Sequence, residues 1–532
     1  MTLSRRRLIR WSAALAAATA VPVAATTAAT AGAAPPGGGE GVPSGLAPDA
    51  SPRFRAVAQS LTEAMSALKV PGAALGILAD GREEHATFGY ASTEGAVPVT
   101  AETLFQIGSL NKTYTATAAM RLLDAGRLSL DAPVRTYLPE LRLADDAVAR
   151  AVTVRHLLTH TGGWWGDYFS NTGTGDDALA IYTRYVLPTL EQIAPLGGFF
   201  SYNNAGFVLL GRVIEVLTGR PYRAALADLV LDPLDLPRST FRPETVLRRP
   251  HATGYSVTPA AAAAGAEPAP VDPLFLPRSV DPAGGLWSTT GEQLRYARFH
   301  MGDGTAGGRR LLPAETLRLM QTPQIGVPGQ GPLTMGMSWF VLQTGGLRLL
   351  YHGGDTFGQH TEFWIAPDAG FALVVFANAQ PGGALAGPLA FAEALHQYFG
   401  VGGGAAAAGA AAAGGAVVPR LALPPGALAA FGGRYATPNV GIDIRPDGED
   451  LALHVDVLRV PGQVQPLDQQ ALPPDARATL VAPDVALVTA QSGEPAATIQ
   501  FLRRPDGSVG WLSLGTRLYP RQDRAAAPAP AV

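Results

Sequence analysis

The chain has 532 residues, a length that corresponds to about three to four domains at roughly 150 residues each. Lys and Arg total 40 against 43 Asp and Glu, a formal net charge of −3, so no basic field is available to recruit nucleic acid. Cysteine is absent, which excludes a thiol nucleophile, iron–sulfur clusters, Cys-ligated zinc and a disulfide scaffold, and only two of the basic residues, Lys69 and Lys112, are lysines.

In chain order, the N-terminus reads MTLSRRRLIRWSAALAAATAVPVAA, a basic region followed by an Ala-rich apolar run and an A-x-A pattern at Ala31–Ala33. Residues Ser4 to Arg10 resemble a twin-arginine signal, so residues 1–33 are expected to be an export signal and 34–50 a flexible leader. No later apolar run reaches the ~18 residues that a bilayer span requires. From Phe54 to Leu68, apolar residues recur on one helical face, and Pro71-Gly72 stops that helix. Strands are predicted at 73–79 and 84–90 around Asp80-Gly81, and again at 338–344, 347–352, 361–366 and 371–377, with a closing helix at 387–399. The long stretch between the strand groups reads as mostly helical. The expected fold is α+β: an antiparallel sheet flanked by helices, with a mostly helical insertion, over residues 51–400. An Ala/Gly/Pro linker at 401–426 then leads to a strand-rich segment at 427–523, a small barrel or sandwich with turns at Arg445–Gly448 and Arg504–Gly507. Residues 524–532 read as a disordered tail.

Both lysines follow a serine by three positions, in Ser66-Ala67-Leu68-Lys69 and Ser109-Leu110-Asn111-Lys112. On a helix that spacing puts the two side chains on one face, where a neutral amine accepts the hydroxyl proton. Ser66 lies late in a helix that Pro71 soon ends, so this pair reads as a solvated helix terminus and a decoy. Ser109 follows a strand-like run and a glycine, and opens a helix with an apolar face that ends at Gly126. Backbone N–H groups at a helix N-terminus stabilise developing negative charge, although simple helix capping would explain this serine equally well.

Two further stretches carry polar groups of use to catalysis. Phe200-Ser201-Tyr202-Asn203-Asn204-Ala205-Gly206 precedes an apolar-faced helix; its asparagines read as turn and N-cap residues, or its phenol as a proton shuttle with an amide two positions on. Tyr351-His352-Gly353-Gly354-Asp355 ends a strand, and its glycines fit either a bulge or a close approach by a ligand or another backbone. His156 and His160 have i, i+4 spacing, but Leu157 stands where H-E-x-x-H zinc sites carry glutamate, so no metal is expected. No Walker loop, dinucleotide fingerprint or G-x-S-x-G elbow appears, and no cofactor is expected.

Taken together, these three elements resemble the active-site serine penicillin-recognising family, which comprises class C β-lactamases, D,D-peptidases and related esterases and amidases. The resemblance covers about 54–400 and extends to His156–Gly163 and Ala283–Thr289. It implies Ser109 as nucleophile, Lys112 and Tyr202 as the proton-transfer pair, and Asn204 as a ligand for the acyl-side amide of the substrate. It also implies that the His352 strand lines the cleft, with Gly354 and Asp355 beside it and the backbone N–H groups of Ser109 and Asp355 as the oxyanion hole. His352-Gly353-Gly354 stands where other members carry K-T-G. A histidine offers less fixed positive charge than a lysine, which shifts the expectation from carboxypeptidase and β-lactamase activity towards an esterase or amidase, unless an arginine from elsewhere restores the charge. The expected function is therefore an exported serine hydrolase that acts through a Ser109 acyl-enzyme on a small ester, amide or D-amino-acid peptide. The alternatives are a β-lactamase or D-alanyl-D-alanine carboxypeptidase, or a penicillin- or peptidoglycan-binding protein without turnover. The C-terminal segment, with Phe431-Gly432-Gly433-Arg434-Tyr435, resembles the lipocalin-like domain of some members, which implies ligand binding, capping of the cleft or a role in oligomers.

Overall fold

Ser51 begins the ordered core by accepting a hydrogen bond from Phe54 N, and Pro52 supplies a preset φ at the first helical position, so α1 (Pro52–Ala67) starts where the sequence requires. The computed structural model describes residues 45–257, 265–401, 420–424, 426–463, 475–489 and 495–522. The expected signal at 1–33, most of the leader and linker, and the tail at 524–532 lie outside the described residues.

One face of α1 buries Phe54, Val57, Leu61 and Met65. Each such side chain contributes about 1.5–3 kcal/mol on leaving water. That face packs against the C-terminal helix α5 (Gly382–Phe399) and one side of the central sheet. The sheet contains β1 (Gly72–Ala79), β2 (Arg82–Ser92), β3 (Val97–Pro98), β4 (Ile325–Gly326), β5 (Thr334–Met335), β6 (Phe340–Thr344), β7 (Leu347–Tyr351), β8 (Gly354–Asp355), β9 (His360–Ala366) and β10 (Phe371–Ala377). Its ten strands are ordered β4-β5-β6-β7-β9-β10-β1-β2-β3, with β8 beside β9, and neighbouring strands pair antiparallel. β1 and β10 form the centre, with Ala73 opposite Ala377 and Ile77 opposite Leu373. Both are buried on their two faces, which accounts for their continuous apolar runs.

The second face of the sheet is covered by the insertion between β3 and β4, which includes α2 (Asn111–Asp124), α3 (Asn204–Thr218) and α4 (Thr290–Met301). Thr289 caps α4 by accepting from Glu292 N. The expected α+β architecture is the one observed. The local departure is at Ser109, which does not open an α-helix directly. It sits in a one-turn 3-10 segment, Gly108–Leu110, that leads into α2. Gly108 has φ +55°, and a Cβ there would lie 2.7 Å from Asp355 N, so only glycine allows this turn against β8.

The C-terminal segment forms a closed eight-stranded barrel in up-and-down order: β11 (Gly433–Thr437), β12 (Val440–Asp447), β13 (Asp450–Val457), β14 (Asp475–Ala482), β15 (Val485–Thr489), β16 (Pro495–Arg503), β17 (Val509–Leu514) and β18 (Arg517–Gln522). β18 closes it on β11 through Arg434–Gln522 and Tyr435–Arg521. Phe431, Tyr435, Ile442, Leu451 and Phe501 belong to its own packed core. The turn between β17 and β18 leaves the barrel end and enters the first domain beside Ser201 and Tyr202.

Candidate active site

The Gly108–Leu110 turn and the first turn of α2 bring Ser109 and Lys112 together. Lys112 Nζ lies 2.9 Å from Ser109 Oγ and donates to the Ala283 carbonyl at 2.7 Å. The amine is fully buried, and burial holds its pKa well below the ordinary lysine value; the Arg517 charge lowers it further and Asp167 opposes that. A lysine in this setting gives up its proton more readily than an exposed one, and it stands beside a hydroxyl.

Lys69 has a different environment. It follows the end of α1 with φ 53°, and its Nζ binds Glu267 Oε1 and the Gly265 carbonyl, each at 2.7 Å. The structure therefore separates the two serine–lysine pairs as their contexts predict.

Tyr202 comes from the segment before α3. Asn203 is the N-cap of that helix and accepts from Gly206 N at 2.7 Å, so the capping role falls on Asn203 and leaves the Asn204 side chain free for other contacts. The Tyr202 ring lies 4.8 Å from Lys112 Nζ and stacks on His160 with centroids 4.3 Å apart. Its hydroxyl has no hydrogen-bond partner of regular geometry among the described residues. Burial raises the phenol pKa, and the nearby Ser109 and Arg517 offset part of the rise.

The histidine pair at His156 and His160 divides its work. His156 Nδ1 accepts from Thr153 N at 3.1 Å and so closes a capping box, while His160 Nδ1 accepts from Asn203 N at 2.9 Å and so orients the Tyr202 segment.

The third stretch closes the opposite side of Ser109. A Cβ on Gly354 would fall 2.0 Å from the Ile107 carbonyl and 2.9 Å from Ser109 N, so β8 approaches the serine turn at a distance only glycine tolerates. Of the two local readings of these glycines, the close approach is the one found. Asp355 N and Ser109 N are thereby brought into one small region, an arrangement suited to two converging oxyanion donors. His352 is 1% exposed, and burial pushes its pKa down to about 3, with the Lys112 charge adding to the effect. It is a neutral side chain and carries no fixed charge. The Asp355 carboxylate is held by His360 at 2.8 Å and by Gln380 at 2.5 Å.

Two residues without a sequence signal complete the cleft. Asp167 Oδ1 accepts from Asn204 Nδ2 at 2.7 Å. Its other oxygen pairs at 2.6 Å with Arg517, which belongs to the barrel, and the Arg517 guanidinium lies 4.5 Å from the centre of the Tyr202 ring. Asp167 follows the aromatic run Trp164-Trp165 at a loop position with no periodicity, and Arg517 stands in a different domain, so neither was findable from motif spacing.

The family model described as Beta-lactamase matches residues 57–398, which holds all of these residues except Arg517. The chain belongs to the β-lactamase family. Among the curated members, penicillin-binding protein 4 of Amycolatopsis lactamdurans is 36% identical over 317 residues, covering 58% of this chain and 81% of that protein. A solved structure described as SurE with D-Leu superposes with a TM-score of 0.66 at 25% identity, covering 88% of this chain and 99% of that one. EstCE1, described as a hydrolase with promiscuous acyltransferase activity, superposes with a TM-score of 0.54 at 25% identity, covering 65% of this chain and 98% of that one. The two similar structures differ in extent, one aligning with about two thirds of this chain and the other with most of it. Members of the family are serine hydrolases that act on small-molecule substrates. Among the described residues no helix is long and apolar enough to cross a membrane.

Proposed function

We propose that the protein is an exported serine hydrolase that cleaves a small ester or amide through a Ser109 acyl-enzyme. The observation that carries this reading is the buried Lys112 amine 2.9 Å from Ser109 Oγ. Ser109 Oγ attacks the carbonyl carbon as its proton passes to the Lys112–Tyr202 pair. The carbonyl oxygen gains charge beside the Ser109 and Asp355 amides, and Asn204 holds the acyl-side amide of the substrate. The proton then goes to the departing oxygen or nitrogen, which leaves as an alcohol or amine. Water completes the cycle by displacing the acyl group from Ser109. The basic and apolar N-terminal segment supports export, and the closed up-and-down order of the eight strands supports a lipocalin-like second domain.

The test compares wild type with Ser109→Ala on a p-nitrophenyl ester, a chromogenic cephalosporin and a panel of D-amino-acid amides. Turnover confined to wild type is the expected result, with an acyl adduct on Ser109 visible by intact mass. Equal turnover by Ser109→Ala would remove Ser109 from the mechanism.

A second reading, β-lactamase or D-alanyl-D-alanine carboxypeptidase activity, is favoured by one specific observation. Arg517 brings into the cleft the positive charge that His352 does not carry and that a substrate carboxylate would meet. On that reading the cephalosporin and peptides with a free C-terminus are turned over faster than the neutral ester. A stable acyl adduct without release would instead favour a penicillin-binding protein that does not turn over.

A further inference from the structure

The cleft has a wall that the catalytic domain does not make. The turn joining β17 to β18 lies against the Tyr202 segment: the Thr516 carbonyl accepts from Tyr202 N at 2.8 Å, and Leu518 N donates to Ser201 Oγ at 3.3 Å. On its other side Gln330 Nε2 donates to the Gly515 carbonyl at 3.0 Å, so the turn is held from two directions. These bonds fix Arg517 over the Tyr202 ring, and its ion pair with Asp167 fixes the orientation of the guanidinium. Asp167 in turn holds Asn204. One residue of the barrel thus reaches two of the side chains assigned to the chemistry, one directly and one through a carboxylate.

We propose that Arg517 is a positioning residue of this active site: the barrel lends the fixed positive charge that His352 does not carry, and through it sets the proton-transfer pair Lys112–Tyr202. The proposal rests on the Ser109–Lys112 mechanism above. Arg517 and Lys112 lie 4.5 and 4.8 Å from the centre of the same ring, so the two groups are no more than about 9 Å apart in a buried setting, where a like charge disfavours protonation of the weaker base. Arginine stays charged at every working pH, so the amine carries the whole effect. The same charge favours the phenolate of Tyr202. The other titratable groups around the pair are Asp167, Asp355, His160, His352, Tyr351 and Tyr519. His160 and His352 are kept neutral by burial, and the two carboxylates oppose Arg517. Loss of the guanidinium therefore raises the proton affinity of both Lys112 and Tyr202. Whichever of them takes the serine proton, the acid limb of kcat/KM moves to higher pH. Loss of the Asp167 charge moves it the other way.

The scarcity of lysine makes the effect directly observable, because a chain labelled with 13C-lysine shows just the resonances of Lys69 and Lys112. The full-length protein is titrated as wild type, Arg517→Met, Arg517→Lys and Asp167→Asn, with Lys69→Arg used to assign the signals. The expected result is a Lys112 midpoint about one pH unit or more higher in Arg517→Met, lower in Asp167→Asn and close to wild type in Arg517→Lys, with Lys69 unmoved. The acid limb of kcat/KM follows in the same directions. A Lys112 midpoint unchanged in a folded Arg517→Met protein would overturn the proposal. So would a fall in activity without movement of the acid limb, or Arg517→Lys behaving like Arg517→Met. If Arg517→Met does not fold, the Asp167→Asn and Arg517→Lys titrations decide it by the same criteria. Turnover that survives Ser109→Ala would sink the serine mechanism instead, and the lysine titration would still report on the charge of Arg517.

Discussion

Lys112 and Lys69 share a spacing to serine and differ in everything around them. Replacing Lys112 by arginine keeps a cation but removes a base that can be neutral, so kcat/KM should fall by about 10²–10⁴ while the protein remains folded. Lys69→Arg, whose partners Glu267 and the Gly265 carbonyl are at the surface, should leave both activity and stability unchanged. Gly354 offers a sharper test of the serine turn. An alanine Cβ there would overlap the Ile107 carbonyl at 2.0 Å, so Gly354→Ala should cost roughly 1–3 kcal/mol in thermal unfolding and lower kcat at least about 100-fold. At this scale much of the site was legible in the sequence, since Ser109, Lys112, Tyr202 and His352 come from short motifs whose order survives in the fold. What was not legible is the choice between neighbours. Asn203 and Asn204 have the same side chain, and only the start of α3 decides that the first caps the helix while the second reaches Asp167.

The elements follow from periodicity where the core dictates it. β1 and β10 are buried on both faces and appear as unbroken apolar runs, and α1 shows one apolar stripe against α5. The one-turn segment at Ser109 was not readable because its cause is distant: β8 reaches it from the far end of the domain. Behind β8 lies a charge cluster in which the buried His360 sits between the exposed Asp355 carboxylate at 2.8 Å and the buried Glu362 at 3.4 Å. Burial alone would lower the His360 pKa, but the two carboxylates overcome it and push it up to about 10. A raised folded value means that this stabilisation is complete below the unfolded histidine value near ~6.5 and is lost as pH rises through 10. Wild type should therefore lose Tm between about pH 7 and 10 more steeply than His360→Gln, as measured by thermal melts across that interval. Parallel pH profiles for the two proteins would show that His360 is not the group responsible.

For the molecule as a whole, the sequence pointed to a barrel-like C-terminal segment and left its task open among ligand binding, capping and assembly. Composition foretold strands but carried no trace of where their turns would land, because docking depends on surfaces formed only after both domains fold. The barrel interior holds a packed apolar core, and its β17–β18 turn enters the catalytic cleft, so capping is the role the geometry favours. Trp511 anchors this arrangement, donating to the Ile193 carbonyl at 2.7 Å and packing on Phe199 with ring centroids 5.1 Å apart. Trp511→Ala should loosen the barrel by about 1–3 kcal/mol and separate the calorimetric transitions of the two domains. It should also move the acid limb of kcat/KM in the same direction as Arg517→Met. The closure of the barrel has a consequence for timing. Among the described residues β18, which seals the barrel on β11 and begins with Arg517, is made after the other strands, and domains form in order from the N-terminus. A nascent or C-terminally clipped chain would display every motif of a serine hydrolase and still lack the charge that prepares its base. Until β18 is in place, such a chain would work only with the more alkaline acid limb expected of Arg517→Met, so the pH range of hydrolysis would widen as the barrel closes.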